Sequence, residues 1–164
     1  MENIIDINVL FNKYKLKYPI SEINQKINQL VLDKKIYLLN NAKFSYSFIK
    51  EYEKNEEKIN DFVNKILEYS YFATFVDDSL LRKYCIDLYE FIHTVQKKDY
   101  KFEIYGNIIT KGCKIHIWKE NKLSFEQVMK IIENYDEEKQ CEILKNEYFS
   151  SKFEYSKYIE GRFK

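Results

Sequence analysis

Residues 102–118 read FEIYGNIITKGCKIHIW, and their period decides the fold class. Phe102 and Ile104, then Cys113, Ile115 and Ile117, alternate with polar neighbours, the two-residue repeat of a half-buried strand. Lys111-Gly112 supplies a tight turn between the two runs, so this stretch is expected to be a β-hairpin. Around it the helical repeat dominates. Ile59, Phe62, Val63, Ile66 and Leu67 make one stripe, and Leu80, Leu81, Tyr84, Leu88 and Ile92 make another behind Ser79 as a cap. Ser124-Phe125-Glu126-Gln127 is a capping box, with Leu123 and Val128 placed as a hydrophobic staple. A further helix is expected from Asp136 through Ile143 and Leu144 to Tyr148, and the tail from Ser150 to Lys164 reads as a strand or a wrapped arm.

The fold class expected is therefore α+β, helix-dominant, with two β-hairpins. Only 3 Gly and 1 Pro occur in 164 residues, too few for the corners of an all-β sandwich or barrel. With 45% hydrophobic and 17% aromatic residues the chain has the makings of a packed core and none of the marks of disorder.

Upstream, Ile4, Ile5, Val9, Leu10 and Phe11 fit a short amphipathic helix beginning near Asp6, stopped by Pro19. Ser21 is the expected cap of a second helix carrying Ile23, Ile27, Leu30 and Val31 at helical spacing. Two β-prone runs, 35–39 and 43–48, flank Asn40-Asn41 and make the other hairpin. This order of helix, turn, helix and hairpin resembles the second half of a winged-helix module. Ser21 to Asp33 stand for its recognition helix, Leu30 and Ile36 for its packing anchors, and Asn40 to Lys43 for the wing tip. The resemblance implies a DNA-binding surface in which Asn24, Lys26 and Asn28 enter a major groove and Lys43 meets a phosphate. The segment departs from that pattern in having no Arg, and Lys34 and Lys35 where a Gly is common. Residues 1–50 are read as this module and 51–164 as a helical domain with a β-hairpin, the two forming either one unit or two.

Net charge is +1, which announces neither bulk nucleic acid nor an anionic membrane as the main partner. The distribution is uneven: residues 1–50 hold 8 Lys against 4 acidic residues, and residues 51–100 hold 7 basic against 11 acidic. Cys85, Cys113 and Cys141 fit no disulfide or zinc spacing and are read as buried free thiols. No apolar run reaches the length of a membrane span, and Met1 to Asp6 carry no signal-peptide pattern, so a cytoplasmic protein without membrane contact is expected.

No catalytic residue, metal set or cofactor motif stands out. His93, expected near a helix end, and His116, expected to point away from the apolar strand face, read as ordinary surface or boundary histidines. Asp77-Asp78 reads as a solvated turn, and only as a third choice, with His93, as the metal site of an enzyme. In the tail, Phe153, Tyr155, Tyr158 and Phe163 alternate with Lys152, Lys157, Arg162 and Lys164, a pattern shared by single-stranded nucleic-acid platforms and by arms that cover a core. The 15 Tyr favour contact surface over chemistry. The expected function is that of a non-enzymatic binding protein, a small regulator or inhibitor that occupies a protein partner, of the kind a phage or mobile element encodes. The alternative is a winged-helix-type DNA-binding regulator.

Overall fold

A computed structural model describes residues 4–39, 43–45 and 54–162. Asn40, Asn41 and the second half of the 43–48 run, the start of the charged stretch from Lys50, and Phe163-Lys164 lie outside the described residues.

The fold is α+β and helix-dominant: β1 (Ile4–Asp6), α1 (Ile7–Tyr14), α2 (Ile20–Leu32), β2 (Tyr37–Leu39), β3 (Lys43–Ser45), α3 (Glu56–Glu68), β4 (Ala73–Asp77), α4 (Asp78–Lys83), α5 (Leu88–Lys97), β5 (Phe102–Asn107), β6 (Gly112–Trp118), α6 (Phe125–Ile132), α7 (Glu137–Glu147) and α8 (Lys152–Arg162). Both expected hairpins exist, and each has gained a third antiparallel strand, giving sheets of order β1-β3-β2 and β4-β6-β5.

Those added strands correct two readings. Ile4–Asp6 is a strand rather than the approach to a helix, because it pairs with β3 in a register that sets Asp6 opposite Lys43. Ala73–Asp77 pairs with β6 from Ala73↔Trp118 to Asp77↔Lys114. Its alternation is short and interrupted by Ala and Thr, which hid it. The β5–β6 connection is longer than Lys111-Gly112: Asn107 faces Gly112 across the ladder, leaving Ile108 to Lys111 as the loop. Lys111 takes φ 62°, and Gly106 takes φ 99° with its Cα against the Gly112 carbonyl, where a Cβ would lie only 2.4 Å from that oxygen.

Sheet β4-β6-β5 sits between two helical layers. Its inner face, with Val76, Ile104, Ile115 and Ile117, packs with Ile59, Phe62 and Val63 of α3 and Phe91, Ile92 and Val95 of α5. The same core continues into Ile27 and Val31 of α2, Leu38 of β2 and Phe44 of β3. Across the sheet, Phe72, Ala73 and Trp118 pack with Val128 and Ile132 of α6 and Ile143 and Leu144 of α7.

Helix ends follow local chemistry with some reassignment. Ser124 forms the expected capping box with Gln127, and Asp136 caps α7 through the Lys139 amide. Asp77, not Ser79, caps the next helix, its carboxylate accepting from the Leu80 amide. That helix ends at Lys83, Cys85 turns with φ 58°, and Asp87 starts α5 afresh through the Tyr89 and Glu90 amides. Pro19 rather than Ser21 precedes α2, with no side-chain cap. The tail is helix α8 rather than a strand, with Tyr158 packed against the second core: Ser151 supplies an oxygen to the Glu154 amide, and the i,i+4 pair Tyr158–Arg162 closes its last turn. No helix among the described residues is long and apolar enough to cross a membrane.

Candidate functional site

Three places could carry a function, and geometry separates them. The first is the outer face of sheet β4-β6-β5, where cross-strand neighbours Glu103 and His116 project together. His116 is a corrected reading. It is 2% exposed, since the layer of α6 and α7 covers the face that alternation assigned to solvent. Its ring stacks on Phe75 at 4.0 Å and 10°, leans on Trp118 at 4.5 Å, and places Nε2 2.7 Å from the Glu147 carbonyl oxygen. Burial holds its pKa below the ordinary 6.5 despite that hydrogen bond and the charge of Glu103. Burial pulls Glu103 upward, but the Lys122 ammonium and the Tyr105 hydroxyl outweigh it and keep the carboxyl below its usual range. His, Glu, Tyr and Lys thus gather from β5, β6 and the following loop. Rings and ion pairs pack among them: Phe75 and Trp118 against the His116 ring, and Lys122 and the Tyr105 hydroxyl on Glu103.

Beside it, Glu147 is buried and accepts hydrogen bonds from the Tyr71, Phe72 and Ala73 amides. It fastens the end of α7 to the start of β4. No sequence signal pointed to it, because a Glu in the last turn of a helix opposes the macrodipole and reads as surface.

The second place is a groove of about 520 Å³ at one end of the same sheet, lined by Asp77, Asp78, Arg82, Tyr105, Lys111 and Cys113 among others. Several of its polar groups already have partners. Asp77 caps Leu80, Asp78 pairs with Arg82, and Cys113 is pushed up to about 12 by burial and by the two aspartates, so it stays a thiol. Asp78 is buried, which corrects the solvated turn. His93 does not join them; it is 1% exposed inside α5 rather than at a partly exposed helix end, because α5 is buried on nearly every face. Among the described residues no group of three His, Cys, Asp or Glu could hold a metal ion. Cys113 and Cys141 are buried, whereas Cys85 is exposed in the α4–α5 turn.

The third is the groove between α1 and α2, about 750 Å³, lined by Tyr14, Tyr18, Ile23, Ile27 and Leu30 with Glu22, Gln25, Lys26 and Gln29 along its rim. Apolar side chains continue outside it. Leu16 is 92% exposed, Val9 64%, and Tyr18 and Ile20 about half. Apolar residues crowding a Pro-containing turn, Leu16, Tyr18 and Ile20 around Pro19, were the signal available in the sequence, since turns are ordinarily polar.

The four residues named from the winged-helix likeness differ in exposure. Lys26 and Lys43 are exposed. Asn28 is 9% exposed and donates from Nδ2 to the Gly106 carbonyl at 3.2 Å, so its amide is held against β5. Asn24, one turn earlier on that face, is half-buried with its Oδ1 enclosed. The polar residues that α2 does present are Ser21, Glu22, Gln25, Lys26 and Gln29. No family model, curated protein or solved structure matches the chain.

Proposed function

We propose that this chain is a non-enzymatic binding protein whose α1–α2 groove takes a segment of a protein partner, acting as a small regulator or inhibitor by occupancy. One observation carries this reading: exposed Leu16, Tyr18 and Ile20 crowd the turn between α1 and α2, beside an apolar groove of about 750 Å³ that Tyr18 helps to line. Exposed apolar groups around a preformed hollow gain free energy only when something covers them.

Amine-reactive cross-linking of the whole chain in native lysate addresses this, because Lys26 lines the groove and Lys13, Lys15 and Lys17 neighbour its lining residues Tyr14 and Tyr18 in sequence. A stoichiometric protein linked at Lys13, Lys15, Lys17 or Lys26, and lost from the Leu16→Asp/Ile20→Asp variant, is the expected result. A partner linked elsewhere, or retained by that variant, refutes the assignment.

A second reading is DNA binding, favoured by the β1-β3-β2 sheet that follows the helix pair and by exposed Lys26 and Lys43. It requires duplex binding that weakens with salt and falls when both lysines become Glu. The inward turn of Asn28 removes a base reader from it.

A further inference from the structure

The charge around the groove defines the partner more narrowly. Lys13, Lys15 and Lys17 are exposed at the end of α1 and just beyond it, and Lys26 is exposed on α2. Some lysines elsewhere are met by carboxylates: Lys34 by Asp99, Lys97 and Lys98 by Glu56, Lys111 by Asp87, Lys122 by Glu103. Among the described residues, no ion pair involves any of the four around the groove. Among the described residues, Glu22 is the one acidic side chain lining the hollow.

Shape adds to this. The lining runs along α2 from Glu22 to Leu30, so the floor is roughly 12 Å long at 1.5 Å per residue, about two helical turns. No strand lines it, and the nearby β2 already has its Leu38 amide bonded to the Gln96 side chain, so the groove offers no sheet edge for an extended peptide to join. Its apolar floor gives a phosphate backbone nothing to bind.

From these features we infer that the groove receives an amphipathic helix from the partner protein, its apolar face on Ile23, Ile27 and Leu30 and its flanks carrying Asp or Glu opposite Lys13, Lys15, Lys17 and Lys26. The inference rests on the binding reading above and specifies the occupant. Apolar anchors supply affinity, and the unmet lysines select acidic flanks and speed encounter.

The test is selection of a displayed library of helical peptides, randomised at apolar and flanking positions, against the whole chain at low salt. Enriched peptides are expected to carry large apolar residues at i, i+3 or i+4, and i+7 with net negative flanks. Tyr18→Glu and Ile23→Glu should weaken a selected peptide at least tenfold, and Lys13→Glu/Lys17→Glu/Lys26→Glu should reverse the flank preference. Tyr18 is exposed and tolerates change, so the result does not depend on Ile23→Glu folding. Enrichment of apolar peptides with neutral or basic flanks overturns the inference and leaves the groove as a binding site. Peptides indifferent to the groove variants, or no enrichment alongside Lys26-dependent duplex DNA binding, overturn both.

Discussion

The two ends of this chain differ in how they place most of their large apolar side chains, although Phe153 near the C-terminus is 65% exposed. In the C-terminal third, Phe125, Tyr148, Phe149 and Tyr158 close on one another with ring centroids 5.0–5.7 Å apart, and α6 and α7 shut the sheet face over Phe72 and Trp118. At the N-terminus, Val9, Leu16, Tyr18 and Ile20 stand in solvent beside an open groove. Composition does not make this difference. Sheet β4-β6-β5 has helices on both faces, whereas α2 is held on one side by β5 and the shared core and leaves Glu22, Gln25, Lys26 and Gln29 exposed. The outer face of the large sheet is therefore finished structure, and the outer face of the helix pair is available surface.

Removing Glu147 should have the largest effect on that contrast. Its carboxylate serves the Phe72 and Ala73 amides in the buried layer as well as Tyr71. Glu147→Ala leaves these donors without an acceptor and is expected to cost about 3–5 kcal/mol in urea unfolding, at about 1–3 kcal/mol per buried unmet group. Glu147→Gln keeps one acceptor oxygen and should recover part of the loss. A cost under about 1 kcal/mol for the alanine would show the C-terminal layer to be loosely held.

Gln96 is the corresponding fastener at the other end. Fully buried on α5, it accepts from the Leu38 amide and donates to the Val31 and Ile36 carbonyls, tying the helix pair to the core. Gln96→Leu is expected to lose about 2–3 kcal/mol. It should also speed exchange of the Leu38 amide by more than that of the Ile115 amide, as read by hydrogen exchange. Equal acceleration at both would show that Gln96 supports the whole fold and not one boundary.

A smaller effect comes from pH. Burial lowers the folded pKa of His116 below the 6.5 of the unfolded chain. The unfolded state then binds more protons between the two values, so stability is full above 6.5 and declines as pH falls toward the folded pKa. The urea midpoint should drop between about pH 7.5 and pH 5, and His116→Phe should flatten that slope. Glu56, Glu103 and Asp99, whose pKa values are also lowered, begin from 4.5, 4.5 and 3.8, so their losses come at more acid pH. A slope unchanged by His116→Phe would mean that the stacked ring is not what makes that layer acid-sensitive.

How far the sequence could be read depended on whether the signal was local. The 102–118 hairpin, the α3 stripe and the Ser124 capping box rest on period and on neighbours within four residues, and they appear where expected. β1 and β4 were hidden because pairing with β3 and β6, not their own alternation, makes them strands. The burial of His116 follows from a layer contributed by residues 125–147, and the inward turn of Asn28 from Gly106, 78 positions away. Gln96 and Glu147 look like surface residues in any local window, since their partners come from β2 and β4. The groove alone had a local trace, in the apolar turn around Pro19, which reads as an oddity until the helix pair gives it walls.

The smallest stability effect is expected where the functional effect is greatest. Leu16 is 92% exposed, so replacing it with Ser removes almost no buried area, and unfolding should shift by less than about 0.5 kcal/mol. Leu16→Asp should behave alike in urea, with a small gain from the neighbouring Lys15 and Lys17 offsetting its added charge. Both variants should resist aggregation better than the parent on concentration, as followed by light scattering, because they remove the centre of the exposed apolar patch. If Leu16→Ser instead destabilises the fold by more than about 1 kcal/mol, the residue is packed in solution and the N-terminal surface is not free. In that event the contrast between the two ends disappears, since the helix pair would be as closed as the aromatic layer behind the large sheet.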